Sequence, residues 1–363
     1  MFEAGNTPYV TVDLDQVDQN IRRMVSGLSA NGIDHRPHTK THKSLYFAQR
    51  QLALGAKGIT VAKISEAEVM AAGGIDDIFI AYPLIGGAKL RRLGDLMEVA
   101  NISTLVNSIE GASGLSQLGS RIGIRVPVLI DIDGGMNRGG LKPGEPALLF
   151  ANQLKELPGI EVIGLMYYNG MLNACESMDD VRKEAMRERD ELLQTAELLR
   201  ADRHRMTVLS GGSSYSSMVP ESLKGITTAR AGTYIFGDAS LIYNNRMIEE
   251  KDCALRVNAT VVSVVDDKHA ILDAGSKTLS SDLCARKPGY GHIAGHFDWS
   301  LTKVNEEHAF LEAPNGHDLV IGERVQIIPN HCCTTVNLQD KLIGMRKGKM
   351  ERMITVDARG KNQ

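Results

Sequence analysis

Aromatic residues are scarce in this chain of 363 residues, at 5% with a single tryptophan, and neither sign of charge dominates. The 41 Lys and Arg against 44 Asp and Glu leave a net charge of −3, which gives no electrostatic reason to expect nucleic acid or an anionic membrane as a partner. Long apolar runs are missing too: none approaches the ~20 residues of a membrane-spanning helix. The N-terminus, MFEAGNTPYV, has neither the basic start nor the apolar stretch of a secretion signal, so a cytoplasmic protein is expected. Five cysteines, two of them adjacent at Cys332 and Cys333, do not form the spacing of a disulfide framework. Cys175, Cys253 and Cys284 lack any ligand spacing and read as packing residues.

What is present is a rhythm of short apolar runs and helix-like stretches. With 43% hydrophobic residues, the chain can bury a large core in about two domains. The runs are VTVDLD near residue 10, HRPHTK ending at Lys40, GITVAK ending at Lys63 and DIFIAY ending at Tyr82. STLV (103–106), VPVLIDID (126–133), VIGLMYY (162–168) and TVLSGG (207–212) follow. Between residues 176 and 206, Val181, Ala185, Leu192, Ala196 and Leu199 recur at helical spacing with charge on the other face. About eight alternating units predict a (β/α)8 TIM-type barrel, with a doubly wound sheet as runner-up. After residue 246 the segments become short and strand-like, as in ALRVNATVVSVV and RVQIIP. The expected division is a barrel over 1–245 and a smaller all-β domain over 246–363.

Barrel enzymes place their chemistry at the C-terminal ends of the strands. Here that selects Lys40, Lys63, Tyr82, Asp131, Asp133, Arg138, Tyr168, Asn169 and the stretch Gly211–Ser217. In RPHTKTHK (Arg36–Lys43) a partly desolvated lysine beside other cations becomes a nucleophile, although a solvated basic loop has the same composition. SGGSSYSS (Ser210–Ser217) offers glycines and hydroxyls to a phosphate monoester, or forms a surface turn. RAGTY (Arg230–Tyr234) can complete such a cup. In NHCCTTVN, His331 and Cys333 would share one face of a strand, with Cys332 on the other. They suit a borderline-soft metal with open positions, or are a buried histidine beside core cysteines.

As a set, these residues resemble the D-threonine aldolase and D-serine dehydratase group of fold-type III pyridoxal-phosphate (PLP) enzymes, over nearly the whole chain. The resemblance is carried by RPHTKTHK, KISEAE from Lys63, DIDGGMNRGG around Arg138 and GLMYYNG around Tyr168. It continues in SGGSS, RAGTYIFGD, LDAGSKTLSSD (272–282), GYGHI (289–293) and NHCCTTVNLQDKL (330–342). It implies an alanine-racemase-like barrel whose N-terminal strand joins the β-domain, and a homodimer. It implies that Lys40, rather than Lys43, carries PLP and acts in catalysis. Arg138 would lie near the cofactor ring, and Tyr168, on the substrate side, would bind the cofactor and act in catalysis. Gly211, Gly212, Ser213, Gly232 and Thr233 would cup the phosphate. His331 and Cys333 would hold a divalent metal, with zinc favoured and manganese or magnesium possible.

The implied reaction is dehydration or retro-aldol cleavage of a β-hydroxy D-amino acid of the D-serine, D-threonine or 3-hydroxyaspartate type. A metal-independent amino-acid racemase and a non-catalytic PLP-binding protein are the alternatives. Two departures stand out. The pair is H-x-C, as in the dehydratase branch, where the aldolases have H-x-D. Asn169 stands where many relatives have histidine, and an amide does not titrate.

Overall fold

The alternation of apolar runs gives seventeen strands in the computed structural model, over the described residues 6–244 and 246–363. The first nine are β1 (Tyr9–Asp13), β2 (Asp34–His35), β3 (Ile59–Val61), β4 (Asp77–Pro83), β5 (Asn101–Val106), β6 (Val126–Asp133), β7 (Ile160–Tyr168), β8 (Val208–Gly211) and β9 (Thr228–Ala229). The rest are β10 (Leu255–Val264), β11 (His269–Leu272), β12 (His292–Ile293), β13 (Ser300–Val304), β14 (Ala309–Glu312), β15 (Arg324–Ile328), β16 (Lys341–Arg346) and β17 (Lys349–Thr355).

One compact unit comprises residues 22–40, 47–232 and 360–363. Its eight strands pair in parallel in the order β2-β9-β8-β7-β6-β5-β4-β3. The ring closes where Lys57 N–H donates to His35 O (2.9 Å) and Thr60 N–H to Pro37 O (2.8 Å). Burial on both faces explains the unbroken apolar runs, such as the buried Ile78, Phe79 and Ile80 of β4. Phe79, Leu105, Leu129 and Met166, one from each of β4 to β7, form a shared core cluster. The long helix Met178–Ala201 starts at Ser177, whose hydroxyl accepts Asp180 N–H, with Asp179 and Asp180 in its first turn. Its buried stripe contains the expected Val181, Ala185, Leu192, Ala196 and Leu199, and also Glu188 and Thr195.

The other unit comprises residues up to Ile21, 41–46 and 233–359. Its sheet runs β13-β14-β11-β10-β1-β16-β17, with β15 paired to both β10 and β12. β1 lies antiparallel to β10 and parallel to β16. The VTVDLD run therefore does not take its place among the barrel strands; the eighth barrel strand is the two-residue β9. The burial pattern carries the reason: Val10 and Val12 are buried while Asp13 is exposed, the alternation of a sheet with one wetter face. Relative to a division at 245/246, the change of unit falls between Gly232 and Thr233, and two N-terminal segments join the strand-rich unit. No helix among the described residues is long and apolar enough to cross a membrane.

Candidate active site

In the barrel unit, Lys40 lies in the turn Thr39–Thr41 that follows β2. Thr39 Oγ1 donates to Glu66 Oε1 (2.9 Å), and the same buried carboxylate accepts Ala62 N–H at its other oxygen (2.8 Å). The turn is thus pinned while Lys40 itself is exposed, and no acceptor among the described residues is bonded to its Nζ. Lys43 differs: it is buried, sits at φ +48°, and donates to Asn337 Oδ1 at 3.0 Å.

Tyr168 ends β7, and the Arg138 guanidinium lies 4.7 Å from its ring centre. Lys63 likewise stands 3.5 Å from the ring centre of Tyr82. Asp131 receives the Asn107 amide at 3.3 Å, and burial pushes its carboxyl up to about 6. Asn169 is buried and structural: Oδ1 accepts Met171 N–H (3.1 Å) and Arg187 Nη2–H (3.3 Å), while Nδ2 donates to Glu184 O.

Gly211 ends β8, and Gly212 and Ser213 follow it. Gly212 has φ +72°, and a Cβ there would meet the Ala229 Cβ at 2.7 Å, so only glycine fits. Gly212 N–H donates to Glu188 Oε1 at 2.6 Å, which removes it as a phosphate donor. Ser213 N–H donates to Ser216 Oγ (3.0 Å) and Gly232 N–H to Ser214 Oγ (3.2 Å), hydroxyls that can rotate away. Ser217 Oγ is buried with no hydrogen-bond partner among the described residues. An orphaned hydroxyl beside two such N–H groups fits a phosphate monoester.

Arg230 is fully buried on neutral acceptors: Ser210 Oγ (2.6 Å), Gly211 O (3.0 Å) and Tyr167 O (2.8 Å). Burial lowers its guanidinium to about 10 and raises Glu188 to about 7. Glu188 went unnoticed in the sequence, although it falls on the helical stripe of Val181 and Ala185 and is the one charged residue there.

In the strand-rich unit, His331 and Cys333 do not lie on a strand. His331 caps the short helix Cys332–Asn337. The chain leaves β15 at Pro329, Asp238 Oδ2 accepts Cys332 N–H (3.2 Å), the Thr335 hydroxyl lies 3.2 Å from His331 O and the Thr334 hydroxyl 3.1 Å from it. Those bonds turn the backbone into a helix at once. Cys332 is fully buried, whereas Cys333 is half-buried; Cys333 Sγ donates to Thr41 Oγ1 (3.2 Å) and lies 3.8 Å from Thr233 Oγ1. Thr41 is the residue next after Lys40 in the chain.

Burial alone would lower His331. Its hydrogen bond to Cys333 and the charges of Cys333, Asp238 and Asp282 outweigh that and raise it to about 9. Asp238, buried behind the pair, is itself pushed up by burial to about 6. Among the described residues no group of three or more His, Cys, Asp and Glu is arranged to hold a metal. An imidazole and a thiol in contact are a donor set that suits a borderline-soft divalent metal.

Residues 12–240 match the family described as "Alanine racemase, N-terminal domain". The chain belongs to that family. It is a PLP-dependent family, and residues 254–345 match a second, "Putative serine dehydratase domain". The D-threonine aldolase of Arthrobacter sp is 32% identical, over 98% of this chain and 93% of its own length. The D-threo-3-hydroxyaspartate dehydratase of Delftia sp. (strain HT23) is 34% identical over 91% of each chain.

Among solved structures, D-threonine aldolase from Filomicrobium marinum superposes with a TM-score of 0.90 at 30% identity, covering 99% of this chain and 97% of the other. The Delftia dehydratase gives 0.89 at 29% identity, covering 97% of each. That enzyme is also known with a histidine, or a cysteine two positions further on, replaced by alanine; the cysteine variant is in the metal-free form. These relatives are lyases, and they share with this chain the α/β barrel followed by a strand-rich domain.

Proposed function

We propose that this chain is a PLP- and metal-dependent lyase acting on a β-hydroxy D-amino acid, with Lys40 holding the cofactor and His331 and Cys333 the metal. The contact of Cys333 Sγ with Thr41 Oγ1 carries this reading, because Thr41 follows Lys40 directly in the chain.

Lys40 Nζ, to which no acceptor among the described residues is bonded, would be the amine that anchors the cofactor. As a free amine it would be the base that takes the proton at Cα. Ser213 and Gly232 N–H, with the Ser217 hydroxyl, take the phosphate as the Ser214 and Ser216 hydroxyls swing aside. Gly212 belongs to the cup through its shape and Thr233 through its place beside Cys333. Tyr168, held under Arg138, lines the substrate side. Bound there, PLP supplies an electron sink for the bond broken at Cα, and the metal a Lewis acid toward the β-hydroxyl. A thiolate ligand favours zinc over manganese or magnesium.

Dehydration is the favoured outcome. The histidine and cysteine two positions apart in the Delftia dehydratase have the spacing of His331 and Cys333. Loss of the Cα proton to Lys40 and of the β-hydroxyl as water leaves an enamine, which hydrolyses to a 2-oxo acid and ammonia. The test is product analysis with PLP- and zinc-loaded protein. D-threo-3-hydroxyaspartate is expected to give oxaloacetate and ammonia, and D-threonine 2-oxobutanoate and ammonia. Glycine with glyoxylate or acetaldehyde would establish aldol cleavage instead. Epimerised amino acid alone would establish a racemase and overturn the lyase reading.

A further inference from the structure

The imidazole of His331 has two nitrogens, and in its neutral form only one has a lone pair for a metal. We propose that Asp282 decides which: it holds the His331 Nδ1–H, so that Nε2 is the nitrogen presented to the metal. The inference rests on reading His331 and Cys333 as the metal pair.

Asp282 Oδ2 lies 3.1 Å from His331 Nδ1 and accepts the Thr334 hydroxyl at 2.7 Å. Thr334 Oγ1 also contacts His331 O at 3.1 Å. One carboxylate oxygen therefore ties the imidazole to the helix start on which both candidate ligands stand. Asp282 is fixed in turn. Its N–H donates to Ser280 Oγ (3.3 Å), and its carbonyl accepts the Asn330 amide (3.0 Å), Asn330 being the neighbour of His331.

Ser280 sits at φ +71°, a region that residues other than glycine seldom occupy, and its Oγ lies 3.2 Å from Thr334 Oγ1. A segment held in so unfavourable a shape needs compensation from its surroundings, and what the shape achieves is to bring the Asp282 carboxylate against His331. Carboxylates in this relation to metal-bound histidines fix the ring and make the ligating nitrogen more basic. Asp282 is thus a positioning residue, with no need to touch metal or substrate itself.

The test measures the zinc dissociation constant of the PLP-loaded protein by competition with a chelator, and follows the visible spectrum of the cobalt-substituted site. Asp282→Ala is expected to weaken zinc binding about 10- to 100-fold and to alter the cobalt spectrum, with the cofactor absorbance unchanged. Asp282→Asn keeps an oxygen for the Nδ1–H and is expected to recover binding to within about tenfold of the parent. If Asp282→Ala binds zinc as tightly as the parent, the proposal falls. If Asp282→Asn is as weak as Asp282→Ala, the carboxylate acts as a ligand and the positioning role is wrong. His331→Ala separates this from the reading beneath it: zinc held as tightly by that variant would overturn the metal pair itself.

Discussion

The candidate residues stand on two kinds of support. Lys40, Tyr168 and Gly211–Ser213 stand at or just after the ends of parallel strands, whose direction and spacing come from the barrel as a whole. His331 and Cys333 stand at the start of a six-residue helix, directed by side chains from elsewhere in the chain. A strand end follows from a local pattern of apolar residues. The helix start depends on Asp238, Thr41 and Asp282, which no local pattern links to residue 331. The first kind of support tolerates changes in its neighbours; the second is vulnerable at each of its props.

The comparison breaks most visibly at Lys40. Lys40→Ala should abolish the bound cofactor's absorbance and lower lyase turnover by ~1000-fold or more, whereas Lys43→Ala, which loses the bond to Asn337, should keep the absorbance. Loss of absorbance in the Lys43 variant alone would reverse the assignment.

Glu188 tests the support beneath the phosphate cup. Its folded value of about 7 lies above the ordinary 4.5, so the folded state binds the extra proton. Stability from this group is complete below pH 4.5 and is lost as pH rises through 7. Glu188→Gln should remove that slope, a difference of about 3 kcal/mol across the window, read from denaturant unfolding at successive pH values. An unchanged slope would mean that Glu188 does not titrate in the fold.

Gly212→Ala forces a Cβ against Ala229 at φ +72° and should cost about 2 kcal/mol of stability, with weaker cofactor binding. Unfolding midpoints and a PLP titration check both. The smallest effect is expected at Arg138→Ala: losing the cation above Tyr168 should cost about 1 kcal/mol, seen as a roughly fivefold weaker PLP dissociation constant.

The sequence made the barrel legible because strands buried on both faces leave continuous apolar runs. It concealed the eighth strand, since Thr228–Ala229 is too short to leave one. VTVDLD carries the apolar residues of a barrel strand, and its alternating burial agrees with the resemblance in assigning it to the strand-rich unit. The His331–Cys333 spacing drew attention to two side chains that do meet, but for another geometric reason than strand alternation. Asp282 and Asp238 close motifs that carry the resemblance, but their contacts with the His331 helix were hidden because those partners are set only once the chain has folded. Glu188 could have been found from helical spacing alone, where a carboxylate falls among apolar positions.

Asp238 has a consequence for the order of folding. Its carboxylate caps two short helices at once, accepting Leu241 N–H nearby and Cys332 N–H from 94 residues along the chain. The contact of Cys333 with Thr41 closes a span of 292 residues. Loops of that length form after local helices and hairpins, because their closure entropy is offset only by contacts already made. High-affinity zinc capture would then be among the last properties regained on refolding, after the far-ultraviolet signal of strands and helices has returned. If His331 and Cys333 hold the metal as proposed, its uptake would serve as a clock for the final step of assembly.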